Sequence, residues 1–250
     1  IPEEDRLKKL DRIKKFEITS EDERSGSFYL SLGKQYAYIA KYDEALYFYK
    51  NSINLLIYSN FIDKDFKITE LGSIARQFNE IHPLILSTII YETNYFLDFN
   101  VTEIICILSI FTNINVDDSI KVIKPTCKSE SVNNISNKIK DLMNNFYDME
   151  QKYNTYSGSN YEHNFDIQDS IIHWSNTTNE QECKNILQSL TIEKNIFIGD
   201  FVKALLKINN IANELERVAE TANNMVFLEK IKMIPEKTLK YIATNQSLYI

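Results

Sequence analysis

The residues able to do chemistry are few, and their spacing excludes more than it offers. Lys203 and Lys207 stand one helical turn apart, so on a helix their ammonium groups project together. By themselves two such lysines belong to a solvated helix face. No GxxxxGK[ST] or GxGxxG stretch is present to cradle a phosphate, and there is no DExH or DExD box. The 3 histidines are isolated, so no Ser/His/Asp or Cys/His arrangement is legible. His82, next to Pro83, reads as a helix-end or turn residue. His173 reads as a surface or packed side chain, since no second histidine or cysteine lies at ligand spacing. Cys106, Cys127 and Cys183 are odd in number, far apart and without a CxxC. That pattern predicts neither a disulfide framework nor a thiolate zinc site, and it points to a reducing, intracellular compartment. The carboxylates are plentiful but scattered. The chain by itself is therefore expected to carry no catalytic residue and no metal, and not to hydrolyse ATP.

The element that positions the two lysines is the stretch 197–222. Gly199 and Asp200 stand ahead of an apolar repeat, and Asp200 is expected to cap the helix through its carboxylate. Phe201, Leu205, Ile208, Ala212, Leu215, Ala219 and Ala222 recur at alternating spacings of four and three, which is one apolar stripe on a long helix. Lys203, Lys207, Asn210, Glu214 and Arg217 fall on the other side.

Composition sets the frame. The 250 residues, 44% hydrophobic and 12% aromatic, are those of a packed globular protein. Only 5 glycines and 4 prolines disfavour an all-β architecture. A net charge of −7 argues against a free-standing nucleic-acid binder with a broad basic field, but leaves room for a local strip. No apolar run approaches the roughly 18 residues of a membrane span, and the charged start IPEEDRLKKLDR is no signal peptide.

Along the chain, helices are expected at 3–16 and 28–58, with a loop at 18–27 between them. Leu32, Gly33, Tyr36, Ala45, Tyr49 and Ser52 fall at the spacings of a tetratricopeptide repeat, but a solenoid needs about three copies and no second one is found. Residues 66–83 carry Ile68, Leu71, Ile74, Ala75 and Phe78 as apolar positions. A helix is expected over 84–99, and another over 101–111 with Asn100 as its cap. After a polar loop at 116–132, an amphipathic helix follows at 133–153 through Ile135, Ile139, Leu142, Met143, Phe146 and Met149. Phe165, Ile171, Ile172 and Trp174, the single tryptophan, are expected in the core. A short helix is expected at 183–190. Asn223 and Asn224 close the long helix, and a last segment, 226–243, bends at Pro235.

The stretch IGDFVKALLKINNIANEL resembles the glycine-headed helix of the C-terminal domain, called DSHCT, of the superkiller-like DExH-box RNA helicases. These are the exosome-associated enzymes also known as antiviral helicases. Gly199 and Asp200 match that helix, Lys203 and Lys207 take its two basic places, and Ile198 replaces an acidic residue. Further matches run in order. They are Leu71, Gly72, Ile74, Ala75, His82 and Pro83; Glu103, Leu108, Ser109 and Phe111; Trp174; and the terminal SLYI with Tyr249. Two departures stand out: Asn115 where the family has an acidic residue, with Asp117 and Asp118 just beyond, and Lys240–Tyr241 where it has an Arg–Asp pair.

The resemblance implies an all-α fold, in which a helical arm (1–60) and a short winged-helix remnant (61–82) precede a helical bundle (83–250). It implies that the chain guides single-stranded RNA leaving the motor lobes of an ATP-dependent helicase. Lys203, Lys207 and Asn210 would then face the RNA backbone, with Gly199, Asp200, Trp174 and Tyr249 as structural residues. ATP and magnesium would bind the motor lobes, which this chain lacks. Partners would be those lobes, the RNA and the RNA-degradation machinery, with no membrane. Two other readings stay open: a helical interaction module built on the repeat-like hairpin at 28–58, and a catalytically inactive helicase remnant acting as a scaffold.

Overall fold

The structure is a computed structural model and describes residues 42–125, 127–155, 158 and 161–241. The expected helix at 3–16, the loop at 18–27, Leu32, Gly33 and Tyr36, and Tyr249 with the rest of SLYI lie outside the described residues. Among those described, every regular element is a helix, and one isolated antiparallel bridge joins Ile62 to Ile68. The all-α expectation holds.

The helices are α1 (Tyr42–Tyr58), α2 (Glu70–Ala75), α3 (Pro83–Glu92), α4 (Val101–Leu108), a 3-10 turn (Ser109–Phe111), α5 (Glu130–Lys152), α6 (Gln168–Asn176), α7 (Glu180–Lys194), α8 (Ile198–Thr221), α9 (Met225–Lys232) and α10 (Ile234–Thr238). They fall into two compact units: the described part of Ile1–Tyr91 with Leu142–Tyr161, and Glu92–Asp141 with the described part of Glu162–Ile250.

In the first unit α1 buries Ala45, Tyr49, Ser52 and Leu55 on one stripe. The chain then reverses through Asn60, whose φ is 64°, into the Ile62–Ile68 bridge. Thr69 caps α2: its hydroxyl oxygen accepts from Gly72 N at 3.1 Å, and its hydroxyl lies 2.7 Å from Asn60 O. Gly72 is required by packing, since a Cβ there would lie 2.1 Å from the carbonyl oxygen of Phe61. His82 is more than the expected turn residue. It is buried, its Nε2 is 3.0 Å from Tyr161 Oη, and its ring lies 5.7 Å from that of Phe146. Burial pushes its pKa down to about 4.

In the second unit α4 opens with the expected cap. Asn100 accepts from Glu103 N while Glu103 accepts from Asn100 N, a reciprocal capping box. The segment 84–99 is not one helix. It stops at Glu92, and Asn94, Tyr95 and Phe96 take φ of 46°, 59° and 52°. Each left-handed residue costs about 1–2 kcal/mol, and tertiary contacts offset it. Phe96 is buried against Phe99 and Phe227, and the Lys230 ammonium donates to the carbonyls of Phe96, Leu97 and Phe99 at 2.7–3.0 Å.

Other boundaries move for local reasons. Helix α7 runs over 180–194 rather than 183–190, because Asn179 caps its start and Asn195, at φ 55°, ends it. The last segment is two helices broken at Met233. Pro235 sits in the first turn of α10, where a missing N–H costs no helical bond. Phe165, Ile171 and Trp174 are core as expected, whereas Ile172 is half-buried.

Candidate nucleic-acid interface

Helix α8 begins two residues before Asp200, with Phe197 as the residue ahead of it. Asp200 therefore does not cap the helix, contrary to expectation. It lies in the first turn, where its charge complements the positive helix end. Its Oδ1 is 3.4 Å from Lys203 Nζ, with side chains 51% and 71% exposed. Such a surface pair is worth about 0–1 kcal/mol, too little to tie the ammonium down. Gly199 has ordinary helical backbone, and a Cβ there would meet nothing within 4 Å.

The apolar stripe holds from Phe201 through Leu205, Ile208, Ala212, Leu215 and Ala219, all buried. Ala222 is exposed, because the helix has ended at Thr221. The buried sector is wider than the stripe: Val202, Ala204, Asn209, Ile211, Glu214 and Val218 are buried too. Glu214 is thus a correction, since it was expected on the solvated side. It is enclosed with Arg217 Nη2 at 3.5 Å from its Oε1. What remains in water is a strip in which Lys203, Asn210, Asn213, Arg217 and Glu220 are exposed and Lys207 and Glu216 are half-buried. From Lys203 to Arg217 this strip runs along about 20 Å of helix, at about 1.5 Å per residue.

The core beneath fixes the strip's orientation. Within this unit α8 packs on α9, α10, α4 and the 3-10 turn. The Trp174 indole meets the Phe201 ring edge-on, with centroids 5.3 Å apart, and donates from Nε1 to Thr238 O at 2.9 Å. Asn209 Nδ2 donates to Leu205 O at 2.7 Å and lies 2.8 Å from Thr238 Oγ1, which bonds Ile234 O. So α6, α8 and α10 are locked together through one tryptophan, one asparagine and one threonine. Of these the sequence marked only Trp174. Asn209 was hidden by its polar type beside Asn210, although its place next to Ile208 puts it on the buried flank.

Lys240 and Tyr241, which stand where the family pattern has Arg–Asp, serve the chain's own backbone. Lys240 Nζ donates to Ser175 O and Thr177 O at 3.3 and 2.9 Å, and Tyr241 Oη donates to Thr178 O at 2.7 Å. Burial lowers the Lys240 pKa. Asn115, Asp117 and Asp118 are exposed on the loop after the 3-10 turn, and the Asp117 carboxyl is held down by hydrogen bonds from Ser119. Among the described residues no helix is long and apolar enough to cross a membrane, and no cluster of three His, Cys, Asp or Glu is placed to hold a metal.

The arrangement can offer two ammonium groups and a carboxamide to an extended anionic backbone. The family model described as the DSHCT (NUC185) domain matches residues 65–242, well over half of the chain. No curated protein matches it.

Proposed function

Since the chain belongs to the DSHCT family, a C-terminal domain found in DExH-box helicases, we propose that it guides single-stranded RNA beside the motor lobes of a superkiller-like, ATP-dependent RNA helicase. The observation that carries this reading is the α8 strip. Lys203 and Asn210 are exposed and Lys207 is half-buried on the side of the helix opposite its buried apolar stripe. Ammonium groups one turn apart meet successive phosphates of a strand laid along the helix, and a carboxamide both donates and accepts toward phosphate and ribose. Contacts of that kind position a strand without reading its sequence.

The net charge of −7 suits this role. A chain that repels nucleic acid overall holds RNA only where local cations such as Lys203 and Lys207 meet it. ATP and magnesium belong to the motor lobes, and the RNA-degradation machinery is the partner that receives the strand, in a reducing intracellular compartment.

The test is photo-crosslinking of 4-thiouridine-labelled single-stranded RNA to the helicase, followed by peptide mapping. Crosslinks in the α8 peptide, lost in Lys203→Ala/Lys207→Ala together with RNA-stimulated unwinding at fixed salt, are expected. Crosslinks confined to other helices, or unwinding unchanged in that variant, overturn the proposal.

A further inference from the structure

A cleft of about 540 Å³ opens in the second unit between the start of α4, the loop ahead of α5, the end of α6 and α10. Two lysines from different elements line it: Lys128, exposed on the loop, and Lys237, half-buried on α10. Neither ammonium has an ion-pair or hydrogen-bond partner among the described residues. The one carboxylate of the lining, Glu103, is engaged through both oxygens. Its Oε2 accepts from Asn100 N at 3.0 Å and its Oε1 from Ser129 Oγ at 2.8 Å. With Asn133 Nδ2 donating to Cys127 O at 2.7 Å, these bonds pin the loop to α4 and α5 and fix that wall of the cleft. Between α4 and α6, Thr102 Oγ1 lies 3.5 Å from Asn176 Oδ1, and Asn176 Nδ2 donates to Ile172 O at 3.0 Å. The lining thus carries two positive charges against one negative, in a chain whose net charge is −7.

We infer that this cleft binds a nucleoside monophosphate, free or as the phosphorylated end of an RNA strand, with its phosphate held by Lys128 and Lys237. The volume sets the size of the ligand. It lies within the roughly 300–1,000 Å³ of small-molecule sites and is far more than a bare phosphate needs. The charge sets its head group. A phosphate monoester carries about −1.5 to −2 charges at pH 7, which two ammonium groups balance, whereas a carboxylate would leave one of them unmatched. Lysine meets phosphate as a compact point charge with three donors.

The rest of the lining suits the body of such a ligand. The carboxamide nitrogen of Asn100 makes no hydrogen bond among the described residues. With the Thr102 hydroxyl it supplies a donor and an acceptor for ribose hydroxyls. Val101 and Ile172 supply an apolar wall on which a base can lie. The pinned loop means that little has to be ordered when the ligand arrives, which favours binding. The site is separate from the α8 strip, since Lys203, Lys207 and Asn210 do not line it. The inference therefore goes beyond the guidance of RNA along α8 and stands or falls apart from it.

The experiment is isothermal titration calorimetry of the full chain with AMP, inorganic phosphate and adenosine. AMP should bind more tightly than phosphate, and adenosine should give no measurable heat. Lys128→Ala and Lys237→Ala should each weaken AMP at least about tenfold, because a hydrogen bond to a charged group is the stronger kind. Lys232→Ala makes the same charge change at an exposed residue of α9 outside the cleft and should leave AMP binding as it is. Because Lys128 is exposed, Lys128→Glu reverses the charge without touching the core, and it should abolish binding. No heat with AMP, phosphate binding as tightly as AMP, or an unchanged AMP affinity in Lys128→Glu overturns the inference. An oligonucleotide competitor then assigns the source. Displacement of AMP by the 5′-phosphorylated form and not by the 5′-hydroxyl form puts the end of a strand in the cleft, and no displacement by either makes the free nucleotide the ligand.

Discussion

Gly72 and Gly199 both match the family pattern, and the fold uses them in opposite ways. At Gly72 the space a side chain would fill is taken by the chain's own backbone, Phe61 O at 2.1 Å. At Gly199 nothing in the described chain comes within 4 Å of that space. The same division runs through the residues around them. Leu71, Ile74, Ala75 and His82 are buried within the first unit, whereas Lys203 and Asn210, beyond Gly199 on α8, stay in water. Internal packing accounts for the first group completely. It gives no reason for a glycine at 199, where a Cβ would meet nothing within 4 Å.

The sharpest way to break the comparison is a methyl group on each glycine. Gly72→Ala should cost about 3 kcal/mol or more, because the obstructing atom is backbone and cannot rotate away. Thermal unfolding of the variant measures it, and a stability equal to wild type would mean the carbonyl of Phe61 moves freely.

Acid probes the same unit without a substitution. His82 is neutral in the native state down to about pH 4, while in the unfolded chain it protonates near 6.5. Between those values the unfolded state binds more protons, so stability falls as pH drops from 6.5 toward 4 and is flat above. The loss approaches about 3 kcal/mol at the acid end. Urea titrations at pH 7 and pH 5 should show it, and His82→Phe should flatten it. An equal slope in the variant would assign the acid sensitivity elsewhere.

In the second unit, Trp174→Phe keeps the aromatic contact with Phe201 but leaves Thr238 O without its donor. A loss of about 1–3 kcal/mol is expected from an unsatisfied buried carbonyl, again read by thermal unfolding. No loss would mean that Thr238 O finds another donor. At the small end, Gly199→Ala should leave stability unchanged or raise it, by at most about 0.5–1 kcal/mol, because the methyl meets open space. If it destabilised as Gly72→Ala does, the comparison would fail.

How much of this was legible follows the same line. The α8 stripe could be read because apolar residues at spacings of four and three report burial directly. Asn209 and Glu214 could not, because their burial depends on partners such as Thr238, 29 residues away. The left-handed turn at Asn94–Phe96 was invisible for a like reason. The apolar run continues through it, and Lys230, which ties down its carbonyls, lies more than 130 residues on. Helix ends set by single asparagines, at Asn179 and Asn195, were hidden in an asparagine-rich background. The face of Lys203, Lys207 and Asn210 was legible, since i, i+4, i+7 fixes a common side of a helix. The RNA proposed to lie along it rests on the resemblance to the family.

The most direct test of the central claim is the salt dependence of single-stranded RNA binding, by fluorescence anisotropy, for the wild type and for Lys203→Ala/Lys207→Ala. Melting curves of both proteins are taken alongside, so that any stability change from truncating the half-buried Lys207 is separated from the change in binding. If each lysine neutralises one phosphate, the variant binds more weakly at every salt concentration, and its slope of log K against log salt is shallower by about 1.4. Superimposable curves for the two proteins would contradict the account.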